Sequence, residues 1–166
     1  MSVLDALGTW PVDNVAAAII TTDGVVAHGD TAQVFELASV TKLLVAEAVL
    51  VAVEEGAVEL DDAAGPPGAT IAHLLAHASG LAFDKREVEA PVGEKRIYSS
   101  AGYEVLAEFV TAHTDIEFGD YLRQAVFEPL GMTSTSSRFA DFEARRAEFE
   151  AKAKAQLEGA EKRRAE

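Results

Sequence analysis

Ser39 and Lys42 stand in the segment Phe35-Glu-Leu-Ala-Ser-Val-Thr-Lys42, directly before an apolar run from Leu43 to Val53. At the start of a helix, residues three apart share one face a turn apart, which puts hydroxyl and amine within hydrogen-bond reach. A serine hydroxyl is a poor nucleophile until a base takes its proton. A lysine can serve as that base when burial or a neighbouring positive group favours its neutral form. The helix start adds positive field and offers the Ser39 backbone N–H to a developing oxyanion. The chemistry these two residues could do is acyl transfer through serine. The competing reading makes Ser39 or Thr41 a plain N-cap and Lys42 a solvated first-turn residue.

Three further segments bear on that choice: Tyr98-Ser-Ser-Ala-Gly-Tyr103 after a loop, His73-Leu-Leu-Ala-His-Ala-Ser-Gly-Leu81 closing a helix, and Glu128-Pro-Leu-Gly-Met132 ending another. In this order and spacing, from about Val15 to Thr135, the four motifs resemble the serine β-lactamase and penicillin-binding-protein superfamily. The likeness is to its class C, DD-peptidase and esterase branch. The resemblance implies that Ser39 is the acylated nucleophile and Lys42 its proton-accepting partner. It puts Tyr98 at the tyrosine of the family's Tyr-x-Asn motif, where the phenol relays a proton to the leaving group. Ser100 stands where that motif usually has asparagine, at a substrate-binding position. The change keeps a hydroxyl but loses an amide that donates and accepts at once. By itself, Tyr98 also reads as a buried aromatic at a loop–helix junction.

A second departure lies downstream. Family members carry a Lys-Thr-Gly-type tripeptide on a strand that borders the cleft and supplies a second oxyanion N–H. No Lys-[Ser/Thr]-Gly or His-[Ser/Thr]-Gly occurs after Met132. The resemblance therefore implies a chain truncated before the third motif, without the family's C-terminal strands. Losing one oxyanion donor costs about a hundred- to a thousandfold in turnover, so acylation is expected to outlast efficient hydrolysis.

Positioning these residues requires several elements. Val15 to Thr22 and Val25 to His28 are β-rich and joined by Asp23-Gly24, a two-residue hairpin signal. A helix is expected from Ser39 to about Glu55, stopped by Gly56. Ala63 to Gly68 reads as a loop, and Thr70 caps a helix through Ala78 that ends at Gly80. Residues 82–97, with Pro91 and Gly93, suit a cleft-edge loop. Two more helices are expected near Ala101 to His113 and Phe118 to Phe127. The fold class is a helix-rich α+β, a partial β-lactamase/transpeptidase-like fold with an N-terminal hairpin.

Composition divides the chain near Ser137. Residues 1–137 carry a formal charge of −15 and residues 138–166 one of +1. Phe139, Phe142, Phe149 and Leu157 lie along one stripe of a tail rich in Ala, Glu, Lys and Arg. An amphipathic helix is expected there in place of the absent strands, packed on the 1–137 hydrolase region or paired with another copy as a homodimer. The tail's composition is also that of designed helices, so a non-catalytic fragment or engineered scaffold is the alternative function.

Global properties exclude other classes. The chain has 166 residues, 49% of them hydrophobic, and a net charge of −14. That is enough for one core, and the charge disfavours nucleic acid and anionic membranes as partners. With no cysteine there is neither disulfide framework nor thiolate chemistry. No basic region followed by an apolar core opens the chain, so a cytoplasmic location is expected. His73 and His77 have metal-ligand spacing on a helix, but Leu74 stands where a zinc protease needs glutamate and no third ligand follows. Gly65, Gly68 and Gly80 form no phosphate loop, and Glu104 reads as a solvated helix residue. No metal or cofactor is expected, and the substrate is a small ester, peptide or β-lactam.

Overall fold

The structure is a computed structural model that describes residues 3–29 and 35–137. The chain divides between Ala38 and Ser39 into two compact units. In the first, a 3₁₀ helix (Val3–Thr9) precedes two antiparallel strands, β1 (Ala16–Thr21) and β2 (Gly24–Gly29). Their register runs from Ala16↔Gly29 to Thr21↔Gly24, so the two turn residues are Thr22 and Asp23, one position earlier than expected. Thr21 causes the shift. Its Oγ1 accepts the Asp23 N–H at 3.2 Å and donates to the Gly24 carbonyl at 3.3 Å, closing the turn from its first corner. The positive φ of Gly24, 134°, is then needed at the first residue of β2.

The second unit is helical: α1 (Thr41–Glu54), α2 (Ile71–Leu75), α3 (Ser100–Thr114) and α4 (Phe118–Leu122), which runs into a π-helical turn over Arg123–Phe127. Val45, Ala48, Val49 and Ala52 recur at helical spacing on α1 and are buried with Ile71 and Leu74 of α2, Leu106 and Val110 of α3, and Tyr121, Leu122, Val126 and Phe127. The alanines let α1 approach α3 and α4 closely. The helix expected over Phe118 to Phe127 is one continuous segment that changes pitch after Leu122.

Two boundaries differ from expectation. α1 begins at Thr41, and Ser39 lies in a short 3₁₀ turn (Ala38–Val40) that leads into it. α2 stops at Leu75, three residues short of Ala78. There Ala78 N–H donates to His73 O at 2.7 Å and His77 N–H to Leu74 O at 3.1 Å, the paired bonds of a Schellman stop. His77 occupies the left-handed position of that stop, with φ 58°. The chain then turns again at Gly80, and the 82–97 segment is a loop that carries one isolated β-bridge, Leu81↔Val88, and is tied back to the α2 end by Gly93 N–H to Ala78 O and Ile97 N–H to His77 O.

The tail stripe of Phe139, Phe142, Phe149 and Leu157, and with it the expected C-terminal helix and the boundary at 137/138, lies outside the described residues. Among the described residues, no helix is long and apolar enough to cross a membrane.

Candidate active site

The 3₁₀ turn brings Ser39 to the mouth of α1. Ala38, the residue before it, has φ 43°, a left-handed conformation that costs a non-glycine residue on the order of 1 kcal/mol. Val40 occupies the N-cap position of α1 and makes no side-chain capping bond. Neither Ser39 nor Thr41 is therefore spent on capping, and the first-turn N–H groups of α1 have no side-chain partner there. Ser39 itself is exposed.

Lys42, one turn on, is half-buried. Its Nζ donates to Ser100 Oγ at 3.1 Å and lies 4.8 Å from the centre of the Tyr98 ring and 5.8 Å from that of Tyr103. None of the ion pairs among the described residues involves Lys42. An amine held by a hydroxyl and two aromatic faces is oriented without being fixed to a carboxylate.

Tyr98 completes the group. The Ser39 hydroxyl first, then the Lys42 amine, act on its phenol to hold it below the ordinary tyrosine range. The phenol is thus close enough to feel both nucleophile and base, as a proton relay between them requires. Tyr98 is partly exposed rather than buried, so its reading as a core aromatic does not hold. The structure brings Ser39, Lys42, Tyr98 and Ser100 together from two separated stretches of chain.

The α3 start places two of the four. Ser99, 1% exposed, is the N-cap of α3. Its Oγ accepts the Gly102 N–H at 2.9 Å and donates to the Ala82 carbonyl at 2.6 Å. That bond pair fixes where α3 begins, and hence where Ser100 presents its hydroxyl to Lys42. Tyr103, a turn into α3, donates its phenol to Leu75 O at 3.2 Å. Burial above all raises its pKa, so it stays neutral beside Lys42.

Ser99, Tyr103 and His77 were not singled out as site residues from sequence. The capping role of Ser99 was open to inspection, because a serine stands three residues before Gly102 at a helix start. His73 and His77, four apart, are engaged separately. His73 Nδ1 is 2.9 Å from Thr70 Oγ1, while His77 Nδ1 accepts the Ser99 N–H at 3.1 Å. Among the described residues, no group of three or more potential metal ligands occurs. Glu104 is exposed on α3, as expected.

Comparison with known proteins bears on the identity of this cluster. The family model described as Beta-lactamase matches residues 12–162. The chain belongs to the β-lactamase family. The match runs past Thr135, where the motif likeness ends, and takes in most of the tail. A β-lactamase of known structure from Mycobacterium bovis is 58% identical over 80% of this chain, with a TM-score of 0.78. Penicillin-binding protein 4* of Bacillus subtilis strain 168 is 27% identical over 63% of the chain. A D-amino acid amidase from Ochrobactrum anthropi SV3 shares the fold at 23% identity over 78% of the chain, with a TM-score of 0.64. This β-lactamase-family chain spans 49% of the M. bovis protein, 31% of the B. subtilis protein and 50% of the amidase.

Proposed function

We propose that this chain is a serine hydrolase whose chemistry runs through an acyl-enzyme on Ser39. The observation that carries the reading is the Lys42 amine one turn after Ser39, bonded to Ser100 Oγ at 3.1 Å and 4.8 Å from the centre of the Tyr98 ring. Ser39 Oγ attacks the carbonyl carbon of an ester, amide or β-lactam. As the Oγ–C bond forms, the hydroxyl proton passes to Lys42, and the carbonyl electrons move to oxygen beside the Ser39 N–H. Collapse of that oxyanion breaks the bond to the leaving group, which receives its proton through the Tyr98 phenol. Water then attacks the acyl group and frees Ser39. Ser100 binds substrate or orients Lys42 towards it.

The substrate class rests on likeness. The matched proteins carry names for β-lactam, penicillin and amino-acid amide recognition, and all three are carbonyl compounds. The 166 residues hold no Lys-Thr-Gly-type segment after Met132, and loss of one oxyanion donor costs about a hundred- to a thousandfold, so slow turnover is expected. That same lack favours a second reading, a catalytically silent scaffold of the fold. Stopped-flow release of p-nitrophenol from p-nitrophenyl acetate separates them. The proposal expects a burst stoichiometric with protein, followed by slow turnover, both abolished by Ser39→Ala. Release that Ser39→Ala leaves unchanged would sink it.

A further inference from the structure

We propose that His77 is a positioning residue for the Tyr98 relay, gripping the chain on both sides of that tyrosine. The His77 carbonyl accepts the Ile97 N–H at 2.8 Å, and its Nδ1 accepts the Ser99 N–H at 3.1 Å. Residues 97 and 99 flank Tyr98, whose ring lies 4.6 Å from the imidazole centre, with the Tyr103 ring at 5.0 Å. Any residue at position 77 offers the carbonyl; only a side-chain acceptor offers the second hold. Without it, the Ser99 N–H would be left inside the protein unpaired.

The backbone argues that the imidazole is there for this purpose. His77 fills the left-handed position of a Schellman stop, where glycine carries no steric penalty. It is only 6% exposed. A strained, buried residue with its polar atom engaged points to a function of the side chain. Because Nδ1 accepts, a neutral His77 carries its proton on Nε2. Burial first, then the positive charges of Arg96 and Lys42, favour that neutral form. From His77 the restraint passes through Ser99, which caps α3, to Ser100 and its contact with Lys42.

The inference rests on the acyl-serine reading only for its kinetic readout. His77→Phe keeps an aromatic ring but removes the acceptor. His77→Asn restores an acceptor near Nδ1, and asparagine tolerates the left-handed backbone. The first measurement is the titration of the Tyr98 phenol by ¹³Cζ-tyrosine NMR in full-length protein. In His77→Phe it moves upwards towards the ordinary tyrosine value, and in His77→Asn it stays with wild type. The second is the rate of Ser39 labelling by a fluorophosphonate, which falls about ten- to a hundredfold in His77→Phe and recovers in His77→Asn. An unmoved Tyr98 titration in His77→Phe, or equal shifts in both variants, overturns the inference. Should His77→Phe not fold, imidazole ¹⁵N shifts of the wild type decide: a proton on Nε2 with bare Nδ1 upholds it, and a proton on Nδ1 overturns it. If the titrations behave as expected and Ser39 never labels, His77 positions Tyr98 and it is the acyl-serine reading that fails.

Discussion

The hairpin unit and the helical unit spend similar apolar content in opposite ways. In β1 and β2, Ile20 is 79% and Val25 65% exposed, and their neighbours Ile19 and Val26 are open as well. Successive strand residues point to opposite faces, so among the described residues both faces of this hairpin carry exposed apolar side chains. In the helical unit, Leu106, Ile71 and Val49 are fully buried. A lone two-stranded hairpin is at best marginally stable in water, whereas the helical core draws stability from every side chain it removes from solvent. The difference teaches that the chemistry is built on the self-supporting part: Ser39, Lys42, Tyr98 and Ser100 all fall after the division at Ala38.

α1 carries the same contrast within one helix. Val45, Ala48, Val49 and Ala52 face the core, while Leu43, 71% exposed, and Leu50 lie open on the other side. The face that packs is the one that aims Lys42, and this is why substitutions in the two regions should diverge.

The largest loss is expected at Gly80. With φ 81°, a Cβ there would stand 2.0 Å from the Ala90 carbonyl oxygen, backbone against backbone. Gly80→Ala should cost on the order of 4 kcal/mol or more and unfold the 82–97 loop edge, seen as a collapse of the urea midpoint. Leu106→Ala in the helical core should cost about 2–5 kcal/mol by the same measurement. Ser99→Ala removes the α3 cap and should cost about 1 kcal/mol in stability, with a disproportionate loss of Ser39 labelling because Ser100 and Tyr98 shift with the helix start.

A smaller effect follows from pH. The folded state holds His77 below its ordinary pKa of 6.5, so between the two values the unfolded chain binds more protons than the folded one. Stability linked to His77 is thus complete above about pH 6.5 and declines as pH falls through the folded pKa. Melting temperatures at pH 7.5 and pH 5 should differ less in His77→Asn than in wild type. The smallest effect is expected in the hairpin, where Ile20→Ser should change stability by no more than about 0.5 kcal/mol. A loss like that of Leu106→Ala would mean that the hairpin face is covered in solution, and the contrast between the units would fall.

Sequence carried the elements that depend on local signals. The hairpin, the α1 stop at Glu54, the Thr70 cap and the span of α3 follow from turn residues, periodicity and a capping threonine. It misplaced elements settled by single side chains. Thr21 moved the hairpin turn, and His77 ended α2 three residues early by taking a conformation that glycine usually supplies. For the site, Ser39 and Lys42 were proposed from type and spacing, and Tyr98 and Ser100 through the family resemblance. The bond from Lys42 to Ser100 joins positions 58 residues apart and has no local signature. His77 was legible only as half of a metal-like pair, because its real partner is a backbone N–H of another segment.

The most direct test is intact-protein mass spectrometry after exposure to a fluorophosphonate, with Ser39→Ala and Tyr98→Phe alongside. Attack of Ser39 Oγ on phosphorus expels fluoride and leaves a stable adduct without need of turnover. The account predicts a single adduct on wild type that maps to Ser39, none on Ser39→Ala, and labelling slowed about a hundredfold or more in Tyr98→Phe. A folded wild-type protein that takes up no label, or takes it at another residue, would contradict it.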